Sequence, residues 1–145
     1  MSDSKIDRLR ELAEKKVNRS ADEKELEREL SESTDTSGLR SLAYEFTPHP
    51  EVSVPIYRRL IELQPDDPDL AAELGFIFWL SGEDDLAREQ VVIGSRLEPD
   101  NVQTLLLRAA LEPERDEKHR LYNRVLKRDP ENSVALANLE DLDSS

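Results

Sequence analysis

Between Pro65 and Pro99 the apolar residues recur with the period of a helix, twice over. Ala71, Leu74, Gly75 and Phe78 fall at i, i+3, i+4 and i+7 and share one face, and Ala87, Val91, Gly94 and Leu97 form a second stripe of the same spacing. The pattern predicts two helices joined by a tight turn. Asp67-Pro68 starts the first: a short carboxylate accepts from the free N–H groups of the first turn, and proline sits where its missing N–H is not needed. Leu80-Ser81-Gly82 ends it, because glycine enters the left-handed conformation without a Cβ penalty. Glu83, Asp84 and Asp85 then place carboxylates in the first turn of the second helix, at the positive end of its dipole.

The same alternation flanks this stretch. Before it, Leu39, Leu42, Ala43 and Phe46 form one apolar stripe and Tyr57, Leu60, Ile61 and Leu63 another. Pro48, Pro50 and Pro55 forbid a continuous helix between them and predict a wide, irregular turn. After Pro99, a helix over 101–112 is apolar at Val102, Leu105, Leu106 and Ala109, and a helix over about 114–128 at Leu121, Tyr122, Val125 and Leu126. Pro130 closes it, and Asn132 or Ser133 caps a last helix bearing Ala135, Leu136, Leu139 and Leu142. Pro65 and Pro99 lie 34 residues apart, Pro99 and Pro130 only 31, so the later unit is a shortened repeat of the earlier one.

Residues 1–35 are polar, with sparse apolar positions at Ile6, Leu9, Leu12, Ala13, Val17, Leu26 and Leu30. Ser4 with Asp7 and Ser20 with Glu23 have capping-box spacing, which predicts short helices over about 5–17 and 21–31. Three arrangements suit such a segment: a helical hairpin packed on the repeats, an arm that dimerises or covers a groove, and a tail that orders on binding. The turn-rich stretch Ser31–Ser37, followed by Gly38, sets a boundary, so we divide the chain into a polar helical or partly disordered segment, 1–35, and a repeat domain, 36–145.

The 65–99 unit resembles a tetratricopeptide (TPR) repeat. Ala71, Leu74, Gly75, Phe78, Ala87, Val91 and Pro99 occupy the positions of that family's pattern, with Ala71 and Val91 smaller than its usual choice. Gly75 and Ala87 are the small residues that let the two helices of a pair approach closely. The resemblance implies an all-α fold, an α-solenoid of antiparallel helix pairs in a right-handed stack, with about three TPR-like repeats and a C-terminal capping helix. The third repeat departs from the pattern, with Arg108 and Glu112 where the family prefers leucine and an aromatic. The family lines a concave groove with the first helix of each pair. Carried over residue by residue, that wall is Arg40, Tyr44 and Thr47 in the first repeat, Asp69, Ala72, Phe76 and Trp79 in the second, and Gln103, Leu106 and Ala110 in the third. Phe76 and Trp79 admit two readings, core aromatics or the centre of a binding surface. One subgroup of the family clamps C-terminal carboxylates with lysine and asparagine at these positions; this wall lacks them, and Arg40 alone makes no clamp.

Composition narrows the function further. The net charge of −13, from 33 acidic and 20 basic residues, opposes a phosphate backbone, so no nucleic acid is expected as a partner. No apolar run nears the roughly 18 residues of a membrane span, so no membrane partner is expected either. The absence of cysteine and of a leader-like apolar segment fits a cytoplasmic protein. His49 and His119 are isolated, Asp66-Asp67-Pro68-Asp69 lacks the glycine and distal glutamate of a calcium loop, and the four glycines form no phosphate cradle. Hence no catalytic residue, metal or cofactor is expected, and the chain is read as a non-enzyme. The basic residues Arg115, Lys118, Arg120, Arg124, Lys127 and Arg128 are read as balancing nearby carboxylates. The expected function is a protein–protein interaction module, an adaptor or chaperone-like protein binding a peptide or amphipathic helix of another protein; the alternative is a self-associating subunit that forms a homodimer through its N-terminal helices.

Overall fold

A computed structural model describes residues 2–18 and 23–144, and among them the chain is helical, with no strand. The Ser20–Glu23 capping box falls partly outside the described residues. The chain divides into two compact units, 1–66 and 67–145.

The first unit contains α1 (Ser2–Val17), α2 (Glu23–Glu32), α3 (Thr36–Glu45) and α4 (Pro50–Leu63). Helices α1 and α2, sparse in apolar residues, turn most of them inward: Ile6, Leu9, Leu12, Ala13, Leu26 and Leu30 are buried and Val17 half-buried, where α1 packs on α2, α3 and α4. Arg8 pairs with Glu25, Arg10 Nε donates to Glu45 at 2.9 Å, and Arg59 Nε donates to the Ser33 carbonyl at 3.0 Å. The stretch read as a linker shrinks to Ser33–Asp35, because Asp35 accepts from the Gly38 N–H at 3.0 Å and starts α3 two residues before the glycine. Gly38 is therefore a contact residue rather than a hinge: a Cβ there would overlap Ile6 of α1.

The turn between α3 and α4 corrects the expectation drawn from the prolines. It is short, and α4 begins at Pro50, the first helical position, where a missing N–H is harmless. Pro55 lies inside α4, so the helix forgoes one intrahelical bond and continues, with Val52, Ile56, Tyr57 and Leu60 buried on both sides of it.

The second unit contains α5 (Pro68–Leu80), α6 (Asp84–Leu97), α7 (Val102–Leu111), α8 (Arg115–Arg128) and α9 (Ser133–Ser144). The boundaries of α5 follow its capping chemistry. Asp67 accepts from the Asp69 N–H at 2.9 Å, and Gly82, at φ 78°, closes the helix with paired bonds, Gly82 N to Trp79 O at 3.1 Å and Glu83 N to Phe78 O at 2.8 Å. Helix α5 is apolar except at Asp69 and Glu73 and packs on both α6 and α7, which is why Leu70, Ala71, Ala72, Leu74, Gly75, Ile77 and Phe78 are all buried. Of the second stripe, Ala87 and Gly94 are buried, Val91 is half-buried and Leu97 reaches the surface. Gly75 does more than admit Ala87: a Cβ there would overlap Leu107 of α7 and come within 3.1 Å of Gln90 Cβ on α6. Gly94 meets Thr104 of α7 in the same manner. A second cluster of Leu105, Leu106, Ala109, Leu121, Tyr122, Val125 and Ala135 joins α7, α8 and α9, with Phe76, Leu139 and Leu142 packed against it.

Candidate functional site

The first helices of the pairs are α3 in one unit and α5 and α7 in the other, and all the expected wall residues but Thr47 fall on them. In the first unit, Tyr44 is about half exposed and Arg40 half-buried. Thr47, just past the end of α3, turns its hydroxyl back to donate to the Tyr44 carbonyl at 3.0 Å. In the second unit, Ala72 and Leu106 are not surface residues, which corrects their assignment to the wall. Ala72 is fully enclosed on a helix that packs on both α6 and α7, and Leu106 is consumed by the cluster joining α7 to α8 and α9. Gln103 is exposed and Ala110 half-buried.

Phe76 and Trp79 resolve differently from each other. Phe76 is half-buried and packs against the α7–α9 cluster, so it belongs largely to the core. Trp79 is 37 % exposed and meets Phe76 edge to face, ring centroids 6.3 Å apart at 80°. An anchored ring thus holds an exposed one in a favourable aromatic geometry. Leu80, the next residue, is 68 % exposed at the end of the helix.

Asp69 has a structural partner that periodicity did not single out. Asn101 caps α7, its Oδ1 accepting from the Thr104 N–H at 2.9 Å and the Thr104 hydroxyl at 2.8 Å, while its amide donates to Asp69 at 2.9 Å and to Glu98 at 3.2 Å. One buried side chain therefore ties the starts of α5 and α7 to the end of α6. The recurrence of Pro-Asp-Asp at 65–67, Pro-Asp-Asn at 99–101 and Pro-Glu-Asn at 130–132 is the sequence signal for it. Asn132 repeats the local part, accepting from the Ala135 N–H at 2.9 Å and donating to Asp129 at 3.1 Å.

The basic residues of α8 are mostly engaged. Arg124 Nη2 donates to Asp100 at 2.6 Å, Arg128 Nη2 to Glu98 at 2.7 Å, and Lys118 to the Ala109 carbonyl at 2.8 Å; Arg115 reaches the Leu142 carbonyl. The hydrogen bond from Arg124 holds the Asp100 carboxyl below the usual carboxylate range, and the one from Arg120 does the same for Glu117. Burial pushes the Tyr122 phenol up. His119 lies between Asp143, at 3.2 Å, and Asn123, at 2.9 Å. Among the described residues no group of three or more histidine, cysteine and acidic side chains is disposed to hold a metal, and no helix is long and apolar enough to cross a membrane.

Antiparallel helix pairs with small residues at the crossings, closed by a terminal helix, define a TPR-like helical-repeat fold. A solved structure described as the first TPR of Spaghetti (RPAP3) bound to the HSP90 peptide SRMEEVD superposes with a TM-score of 0.63, covering 75% of this chain and 90% of that chain at 16% sequence identity. The likeness is one of fold. No family model matches the sequence, and no curated protein does.

Proposed function

We propose that this chain is a protein-interaction module that receives a peptide or amphipathic helix of a partner protein on the exposed parts of its first helices. The observation that carries this reading is Trp79. Helix α5 buries most of its apolar side chains, yet at its end it keeps an indole at the surface, braced by Phe76 and followed by an exposed Leu80. A pre-positioned aromatic loses little freedom on binding and covers a large area, which is the usual make-up of an interaction hot spot. Around it we assign Asp69, Phe76, Gln103 and Ala110 to the same surface of the second unit, and Arg40, Tyr44 and Thr47 to the corresponding helix of the first. The peptide held by the Spaghetti domain supports a peptide as the class of ligand. None of these positions is a lysine, which favours an apolar ligand over a carboxylate-ended one. A cytoplasmic setting, with which the cysteine-free sequence agrees, and an adaptor or chaperone-like role complete this reading. Self-association through α1 and α2 has less support, since their leucines are already buried.

The test uses the single tryptophan as both anchor and reporter. Full-length protein captures its partner from an extract of the source cell, Trp79→Ala loses it, and a peptide from the captured partner shifts Trp79 emission to the blue on titration. Capture indifferent to Trp79→Ala, or a Trp79 already shielded from acrylamide in the free protein, overturns the reading.

A further inference from the structure

The second unit carries another surface feature that shares no residue with the candidate wall. Between α6 and the end of α7 lies a hollow of about 250 Å³, floored by Val91, Val92, Leu111 and Pro113 and flanked by Arg88 and Arg108. Val92 is nearly half exposed, one of three large apolar side chains, with Ile93 and Leu97, that α6 shows to water. Glu112, also at the margin, turns its carboxylate toward its own chain, where Oε1 accepts from the Glu114 N–H at 3.2 Å. The two guanidinium groups are loosely neutralised. Arg88 stands 3.5 Å from Asp85, whose side chain is fully exposed, and Arg108 stands 3.9 Å from Glu117, whose other oxygen is taken by Arg120. Such exposed or long pairs hold little energy and yield readily to a better acceptor.

We propose that this hollow is a second docking site, which takes a short acidic segment of a partner protein in which a bulky apolar side chain is flanked by carboxylates. Charge complementarity selects this occupant. On a chain of net charge −13, this hollow is lined by two cations against one carboxylate, Glu112, so an acidic segment meets guanidinium donors beside the apolar floor. The planar guanidinium fork suits a carboxylate in particular, since two parallel N–H groups meet its two oxygens. Size sets the apolar part. The volume lies just below the roughly 300 Å³ at which pockets begin to enclose a whole small molecule, and it suits one large side chain entering from a peptide. An extended polyanion such as a nucleic acid would satisfy the arginines and then run onto the acidic surface around them.

The experiment selects from a displayed peptide library, with leucine or phenylalanine fixed at the centre and three random positions on each side, against the full chain. Parallel selections use Arg88→Glu with Arg108→Glu, Val92→Asp, and Trp79→Ala. The altered side chains of the first two variants are partly exposed, and circular dichroism confirms that each retains its helices. The expected pool is rich in aspartate and glutamate beside the fixed residue, survives in Trp79→Ala, and disappears in the charge-reversal and Val92→Asp variants. A synthetic peptide from the pool should bind roughly tenfold or more weakly to the charge-reversed protein, and weaken as salt rises. A pool without acidic enrichment, a pool unchanged by reversing the two arginines, or no enriched peptide at all overturns the proposal. A pool lost only in Trp79→Ala also overturns it while supporting the surface around Trp79, so the two sites fail independently.

Discussion

Gly75 is where three helices of the second unit meet, and its substitution offers a quantitative test of that packing. A methyl group at this position overlaps Cδ2 of Leu107, lies 3.1 Å from Gln90 Cβ and 3.6 Å from the Ala87 carbonyl. Leu107 is fully buried, so its methyl cannot swing into solvent. Overpacking of this kind costs about 1–3 kcal/mol, whereas alanine for glycine inside a helix returns about 1 kcal/mol. Gly75→Ala alone is therefore expected to range from neutral to about 2 kcal/mol destabilised, too ambiguous to be decisive by itself. Leu107→Ala should cost about 2–5 kcal/mol. With Leu107 truncated the overlap is gone, and the same Gly75→Ala should become stabilising by about 1 kcal/mol, since it keeps the helix propensity and fills part of the cavity. The cycle should thus close with a coupling of about 1–3 kcal/mol. Urea unfolding followed through Trp79 reports on the correct unit, because the only tryptophan lies on α5 itself. Effects of the two substitutions that add to within about 0.5 kcal/mol would refute the contact between α5 and α7 at this point.

Two further predictions concern charge. Asn101→Asp keeps an acceptor for the Thr104 N–H but exchanges the amide that donates to Asp69 and Glu98 for a third carboxylate, so it should cost about 1–3 kcal/mol at neutral pH. Crowding raises the folded-state pKa of such carboxyls above their unfolded values, so the deficit should shrink as pH falls toward about 4; an equal deficit by urea unfolding at both pH values would contradict this. For Asp100 the sign is opposite. Its folded pKa lies below the ordinary 3.8 because Arg124 donates to it, so its contribution is present above that value and vanishes as acid titrates the folded carboxyl. Arg124→Ala should therefore lower the melting temperature at neutral pH and leave it unchanged near pH 2, and a loss of equal size at both would show that the arginine acts by packing.

The helix ends around α5 were legible because each is written in local chemistry: Asp67-Pro68 at one end, Ser81-Gly82 at the other. The individual helices are legible in stripes at helical spacing, and their pairing into an all-α repeat fold in the resemblance to a TPR repeat. Periodicity, however, states which residues share a face and not which neighbour covers it. Spacing alone puts Ala72 and Leu106 on an open wall for that reason, although the packing of α5 on α6 and α7 and a cluster of three helices enclose them. Gly75 pointed to Ala87 because they share a repeat, whereas its tightest neighbour, Leu107, is 32 residues away in the next. Pro55 misled in the other direction, since a helix supported by tertiary burial tolerates the loss of one bond. Trp79 was recognised as a candidate, but its spacing alone did not decide between core and surface. Its exposure and its edge-to-face contact with the ring of Phe76 supply what the spacing lacks.

The cap of α7 has a consequence for how the second unit opens. Asn101 satisfies donors at the start of its own helix with one end of its amide and reaches Asp69, in the preceding repeat, with the other. Fraying α7 from its first turn therefore also releases a tether on α5, so in hydrogen exchange the amides of Thr104 and of the first turn of α5 should open as one cooperative block. In a linear array, where each repeat touches only its neighbours, such a side chain raises the cooperativity of melting without enlarging the core.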